Sequence, residues 1–190
     1  DQEGGRVQRL VPPLARQWTP PLDFVTALGP EAARGMYLRA RLIAAELHAL
    51  GIDSNCAPIC DVATPQTHPF LRDRCYGTSP QHVAELVRSA AQGYLDGGVL
   101  PVMKHIPGHG RSAADTHFDL PVVHESRAEL AAFDFAPFTA LSDLPMAMTA
   151  HLVFSDIDPD NPATQSVDCI KMIRQEIGFD GLLMTDDIGM

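Results

Sequence analysis

Residues 98–110 read Gly-Val-Leu-Pro-Val-Met-Lys-His-Ile-Pro-Gly-His-Gly. The first half, Gly98 to Met103, has the length and apolar character of a short buried strand in spite of Pro101. From Lys104 onward, Pro107, Gly108 and Gly110 exclude helix, so the sequence predicts a shaped loop leaving the carboxyl end of that strand. Asp115-Thr116-His117 follows, which puts three histidines, a lysine and a carboxylate within the fourteen residues 104–117. In α/β proteins the carboxyl ends of parallel strands are where chemistry is done.

Outward from this stretch, helical and extended signals alternate. Gly29-Pro30-Glu31 opens a helix in which Met36, Tyr37, Leu42, Ile43, Leu47 and Leu50 recur at helical spacing until Gly51 ends it. A strand fits Ile52–Cys60, and Asp61–Thr78, with Pro65 and Pro69, reads as a long loop. Ser79-Pro80 opens a second helix whose buried stripe is Val83, Leu86, Val87, Ala90 and Tyr94. Ser126 with Glu129 forms a capping box for a helix toward Leu141, which Pro137 must kink or split. A strand is predicted at Pro145–His151, a helix capped by Ser166 through Glu176, and a last strand at Leu182–Thr185.

Four strands each preceded by a helix imply a parallel sheet with helices outside. Asp61, Lys104-His105, His151 and Asp186 each fall at the carboxyl end of a different strand, and Asp1 sits where an earlier strand would end. A closed eight-stranded barrel brings all such ends to one mouth, whereas a doubly wound sheet offers a crevice only near its switch point. The predicted fold class is therefore α/β, a TIM (β/α)8 barrel present in part as about five strand-helix units. Residues 1–190 are read as part of one catalytic barrel domain cut at both ends, the chain opening on Asp1-Gln2-Glu3 without methionine.

The formal charge of −10, from 14 Lys and Arg against 24 Asp and Glu, opposes phosphate backbones and anionic membranes. Neither nucleic acid nor membrane is expected as a partner. Cys56, Cys60, Cys75 and Cys169 lack CxxC spacing and read as ordinary thiols of a reducing compartment. No apolar stretch approaches the ~20 residues that span a bilayer.

The clustered side chains suit glycoside chemistry. Asp186 follows an apolar strand and is the nucleophile candidate, while its neighbour Asp187 points away or caps the next turn. Asp115 and His117 form an acid/base dyad, the carboxylate orienting the ring and raising its basicity while the other nitrogen faces substrate. Asp1, Arg9, Arg74, Lys104 and His105 supply donors and acceptors for hydroxyl and amide groups of a sugar.

The blocks Asp1-Gln2-Glu3-Gly4-Gly5-Arg6-Val7-Gln8-Arg9, Asp73-Arg74-Cys75-Tyr76-Gly77, Lys104 to Gly110 with Asp115-Thr116-His117, and Thr185-Asp186-Asp187 together resemble the bacterial β-N-acetylglucosaminidases of glycoside hydrolase family 3. The resemblance runs along the whole chain. Ile106 stands where the family usually has an aromatic residue, and Thr116 replaces a common serine. It implies a cofactor-free retaining hydrolase with Asp186 as nucleophile, His117 as acid/base and Asp115 as its orienting partner. Asp1, Arg9, Arg74, Lys104 and His105 would bind the terminal N-acetylglucosamine. It further implies a cytoplasmic enzyme of peptidoglycan recycling that removes GlcNAc from anhydro-N-acetylmuramic acid in cell-wall muropeptides. Two alternatives compete. One is a metal-dependent barrel hydrolase with His105, His109, His117, His151 and Asp186 as ligands. The other is a non-catalytic sugar-binding protein on the same scaffold.

Overall fold

A computed structural model describes residues 1–112 and 120–189. The chain opens with an antiparallel hairpin, β1 (Gln2–Gly4) and β2 (Val7–Gln8), and then α1 (Pro21–Leu28). A 3-10 turn at Gly29–Glu31 leads into α2 (Ala32–Ala49), β3 (Ser54–Asn55), the short α3 (Pro69–Arg72) and α4 (Pro80–Asp96). There follow β4 (Leu100–Ile106), β5 (Val122–Val123), α5 (Arg127–Ala132), α6 (Ala136–Ala140), β6 (Met146–Thr149), β7 (Val153–Phe154), α7 (Val167–Gln175) and β8 (Leu182–Met184).

The main sheet is parallel, with strand order β3-β4-β6-β8. Neighbours in the sheet follow chain order with no reversal, so among the described residues there is no switch point of the kind that divides a doubly wound sheet. A helix precedes each of these four strands, and the result is an arc of a TIM-like (β/α) barrel whose strand ends gather on one side. A second parallel pair, β5 with β7, lies beyond the carboxyl end of the arc.

Helices α2, α4, α5, α6 and α7 form where the sequence predicts helix, for local reasons, whereas the sequence does not predict α1 and α3 falls in the stretch that reads as a long loop. At α5, the Ser126 hydroxyl accepts from the Glu129 amide and the Glu129 carboxylate accepts from the Ser126 amide, the reciprocal capping box. Pro137 begins a new helix, α6, because its ring fits a first turn but not an interior one. Ser166 caps α7 by accepting from the Cys169 amide at 3.1 Å. At α4 the predicted cap differs: Ser79 occupies the N-cap position, but its hydroxyl contacts Gln81 rather than the helix backbone.

The buried stripe of α4 is the predicted one, whereas that of α2 is rotated. Ala32, Met36, Ala40, Ile43, Ala44 and Leu47 face the core, and Leu42 and Leu50 are exposed. Small residues explain the rotation. A Cβ on Gly93 of α4 would lie 2.3 Å from the Tyr37 carbonyl oxygen, and one on Gly97 would lie 2.2 Å from the Ala44 Cβ. The two helices pack backbone to backbone along the alanine face, and the bulkier leucines are left outside.

Candidate active site

Strand β4 runs through Ile106, so Lys104 and His105 lie among its last residues, where the turn-rich sequence suggests a loop. The reason is pairing on both sides. Lys104 aligns with Met148 of β6, and the extended stretch after β3 lies along the other edge, where Cys60 N donates to the Lys104 carbonyl at 2.6 Å and Lys104 N to the Pro58 carbonyl at 3.1 Å. The Lys104–His105 peptide is cis. Both side chains are buried.

Lys104 Nζ lies 2.8 Å from Asp1 Oδ1 and 2.8 Å from Glu3 Oε1. Glu3 also takes a two-pronged bond from Arg74, Nε to Oε2 and Nη2 to Oε1, each 2.9 Å. Burial would raise the Glu3 carboxyl, but Lys104 and Arg74 outweigh it and hold the group down to about 2. The hairpin that presents Asp1 and Glu3 is tied in place by buried polar groups. Asn55 and Gln2 exchange hydrogen bonds of 2.9 and 3.2 Å, and Arg39 of α2 donates to the Glu3 carbonyl at 2.7 Å and the Thr19 carbonyl at 2.6 Å.

His105 sits between two carboxylates. Its Nδ1 is 2.7 Å from Asp61 Oδ2, and its Nε2 is 3.7 Å from Asp186 Oδ2. Burial raises the Asp186 carboxyl, while His105, the Asp187 amide, Lys104 and His151 lower it, with a net shift below the usual carboxylate range. Asp186 is thus ionised at neutral pH, as a carboxylate nucleophile must be. Its Oδ1 accepts from the Asp187 amide at 2.9 Å, and Asp187 Oδ1 accepts from the Gly189 amide at 2.8 Å, so Asp187 caps the next turn.

His151, at the end of β6, supports this turn from beneath. Its Nε2 donates to the Asp187 carbonyl (3.0 Å), and its Nδ1 lies 2.7 Å from the Thr164 hydroxyl. His109 is buried with its ring centroid 5.3 Å from that of His105. Burial, then His105, pushes His109 down to about 4, so it packs as a neutral ring.

Asp1, Arg74, Lys104, His105 and Asp186 therefore come together at the strand ends. Arg9 is joined to them at the rim, its Nη2 3.6 Å from Asp1 Oδ2 with most of the side chain in solvent. Asp115 and His117 lie outside the described residues. Sequence reasoning left Glu3 out of the site, and it placed Asp61 at a strand end without giving it a role. Glu3 carried a usable signal, since residues i and i+2 of an extended chain share a face and Asp1 was already assigned there. The metal alternative gains no support: among the described residues no three His, Cys, Asp or Glu side chains converge on a common point. His105 and His151 have their Nδ1 atoms committed to Asp61 and Thr164.

Comparison with known proteins is consistent along the whole chain. The model of the glycosyl hydrolase family 3 N-terminal domain matches residues 1–190. A beta-hexosaminidase of Alkalilimnicola ehrlichii is 38% identical over 195 residues, covering 100% of this chain and 56% of that protein. The chain spans about half the length of the curated relatives it matches. Among solved structures, a glycoside hydrolase family 3 beta-N-acetylglucosaminidase from Paenibacillus superposes with a TM-score of 0.90 at 35% identity, covering 100% of this chain and 36% of that one. NagZ from Neisseria gonorrhoeae, in complex with N-trifluoroacetyl-D-glucosamine, superposes with a TM-score of 0.92 at 31% identity, covering 99% of this chain and 57% of that one.

Proposed function

Since this chain belongs to glycosyl hydrolase family 3, we propose that it carries the active site of a retaining β-N-acetylglucosaminidase that hydrolyses terminal β-linked GlcNAc. Asp186 attacks the anomeric carbon while His117, oriented by Asp115, protonates the leaving oxygen. The glycosyl-enzyme then forms, and His117 activates the water that releases the sugar. An imidazole suits this task beside an ionised Asp186, because a second carboxylate would repel the first and a neutral ring does not. Asp1, Arg74, Lys104 and His105 grip the hydroxyl and amide groups of the sugar, with Arg9 at the rim.

The observation that carries this reading is the Asp186 carboxylate set 3.7 Å from His105 at the rim of a buried array of fixed donors and acceptors. A site preorganised in this way stabilises charge developing at an anomeric centre without having to reorganise. The reading extends to the aglycone and the compartment: a cytoplasmic enzyme of peptidoglycan recycling that takes GlcNAc from anhydro-N-acetylmuramic acid muropeptides. Trapping the intact protein with a 2-fluoro sugar and mapping the labelled peptide tests the assignment. A label on Asp186 is the expected result, and a label on any other residue overturns it.

A further inference from the structure

We propose that Asp61 is a positioning residue for this reaction: one buried carboxylate fixes both the ring of His105 and the backbone that carries it, and so sets which imidazole nitrogen faces Asp186. The inference rests on the reading of Asp186 as nucleophile and deepens it.

Asp61 is wholly buried and directly follows Ile59 and Cys60, which pair with Lys104 of β4. Its two oxygens divide their work. Oδ1 accepts the backbone N–H of His105 at 3.2 Å and of His109 at 2.7 Å, which pins the strand end and the turn after it. Oδ2 faces His105 Nδ1 at 2.7 Å, short for such a contact and typical of a charge-assisted bond. Burial would raise the Asp61 carboxyl, but His105 and then His109 outweigh it, so it stays ionised and acts only as an acceptor. His105 must therefore keep its proton on Nδ1, and Nε2 is the atom turned toward Asp186.

The surroundings hold the ring and the turn together. The neutral His109 ring packs against His105 on one side, and Gly110 allows the turn to lie directly on the chain that carries Asp61, since a Cβ there would sit 1.9 Å from the Val62 carbonyl oxygen. Thr67 donates to the Gly110 carbonyl and closes the same contact. Asp61 touches no solvent, so its effect on a saccharide passes entirely through His105 and the turn.

The test combines kinetics with nitrogen NMR on the intact protein. In the wild type, the ¹⁵N shifts of His105 should show a protonated Nδ1 held by a carboxylate. A bare Nδ1 overturns the proposal, whatever any variant does. In Asp61→Asn, Oδ1 can keep the two backbone bonds while the amide N–H₂ replaces Oδ2. The His105 proton should then move to Nε2, with kcat on 4-nitrophenyl N-acetyl-β-D-glucosaminide falling on the order of 10²-fold and KM changing much less. In a His105→Gln background the same substitution should cost little more, because the route through the ring is already cut. An Asp61→Asn protein with unchanged ¹⁵N shifts and kcat, or an undiminished cost in the His105→Gln background, overturns the proposal. Failure of the functional reading looks different: the 2-fluoro label misses Asp186 while the His105 pattern stands.

Discussion

Lys104 Nζ is held equidistantly, at 2.8 Å, between the buried Glu3 carboxylate and the partly exposed Asp1 carboxylate. An ammonium has three donors, and these two contacts leave one for a ligand. Glu3 in turn spans Lys104 and Arg74, so a single carboxylate that never reaches solvent sets the spacing of two cations from different elements. Buried charges of this kind give little net stability, and what they secure is position.

Removing Glu3 should therefore be costly out of proportion to its size. Glu3→Ala leaves Arg74 without its buried counter-charge and Lys104 with Asp1 alone, and the expected loss is about 3–5 kcal/mol in guanidinium denaturation. Glu3→Gln should lose less, because it preserves the shape. Its stability should also respond differently to acid. The wild-type carboxyl titrates near 2 when folded, against 4.5 ordinarily, so its contribution is complete above pH 4.5 and fades as pH falls toward 2. Glu3→Gln should be flat relative to wild type across that window. A separate loss between pH 6.5 and about 4 should persist in both proteins, because the unfolded chain takes up a proton that the buried His109 ring refuses. Parallel pH profiles below 4.5 would show that Glu3 is not the titrating group.

Much of the fold was legible because helix periodicity and capping chemistry are local. Ser126 with Glu129, Pro137 and Ser166 announced their helix ends correctly. The hairpin Gln2–Gln8 was not legible, since its stability comes from Asn55 and Arg39, far away in the chain, rather than from strand propensity. Lys104, His105 and Asp186 stood out in the sequence at strand ends, and the structure brings them together with Asp1 and with Arg74 of the long 61–78 loop. Glu3, and the role of Asp61, were harder to see because both residues act by holding other side chains, and such roles follow from register between strands and not from spacing along one.

Asp134 should run the other way with pH. It is buried with Arg111 at 2.7 Å, yet burial dominates and pushes its carboxyl up to about 6. A raised carboxyl favours the folded state when protonated, so this group's contribution grows as pH falls from above 6 toward 3.8. Asp134→Asn mimics the protonated form. It should be neutral or stabilising by up to about 2 kcal/mol at pH 8, and should lose that advantage at pH 4. A thermal melting series that shows equal destabilisation at both pH values would contradict this.

The turn after β4 should tolerate no side chain at Gly110. An added Cβ meets the Val62 carbonyl oxygen at 1.9 Å and its carbon at 2.8 Å, both backbone atoms that cannot swing aside. Gly110→Ala should cost about 3 kcal/mol, the upper end of overpacking, and should lower turnover by displacing His109 and His105. Gly77→Ala is the control, because its Cβ would find only ordinary contacts at 3.7 and 3.8 Å. Equal melting temperatures for the two variants would refute the close approach.

The acid/base role proposed for His117 should separate from the nucleophile role proposed for Asp186 by leaving group. A sugar alkoxide departs only if it is protonated as the bond breaks, so His117→Ala should cut turnover of a disaccharide substrate by ~10²–10⁴. An activated aryl glycoside leaves as a stable phenolate and needs little help, so its first step should be nearly spared while its glycosyl-enzyme accumulates for want of a base. Asp115→Asn should move in the same direction by a smaller factor, since the ring remains but loses its orienting partner. Asp186→Ala should abolish both reactions alike, because neither substrate can form the covalent intermediate without the carboxylate. Burst kinetics on 4-nitrophenyl and disaccharide substrates measure all three. Equal losses on both substrates in His117→Ala would assign that residue to shaping the site rather than to proton transfer.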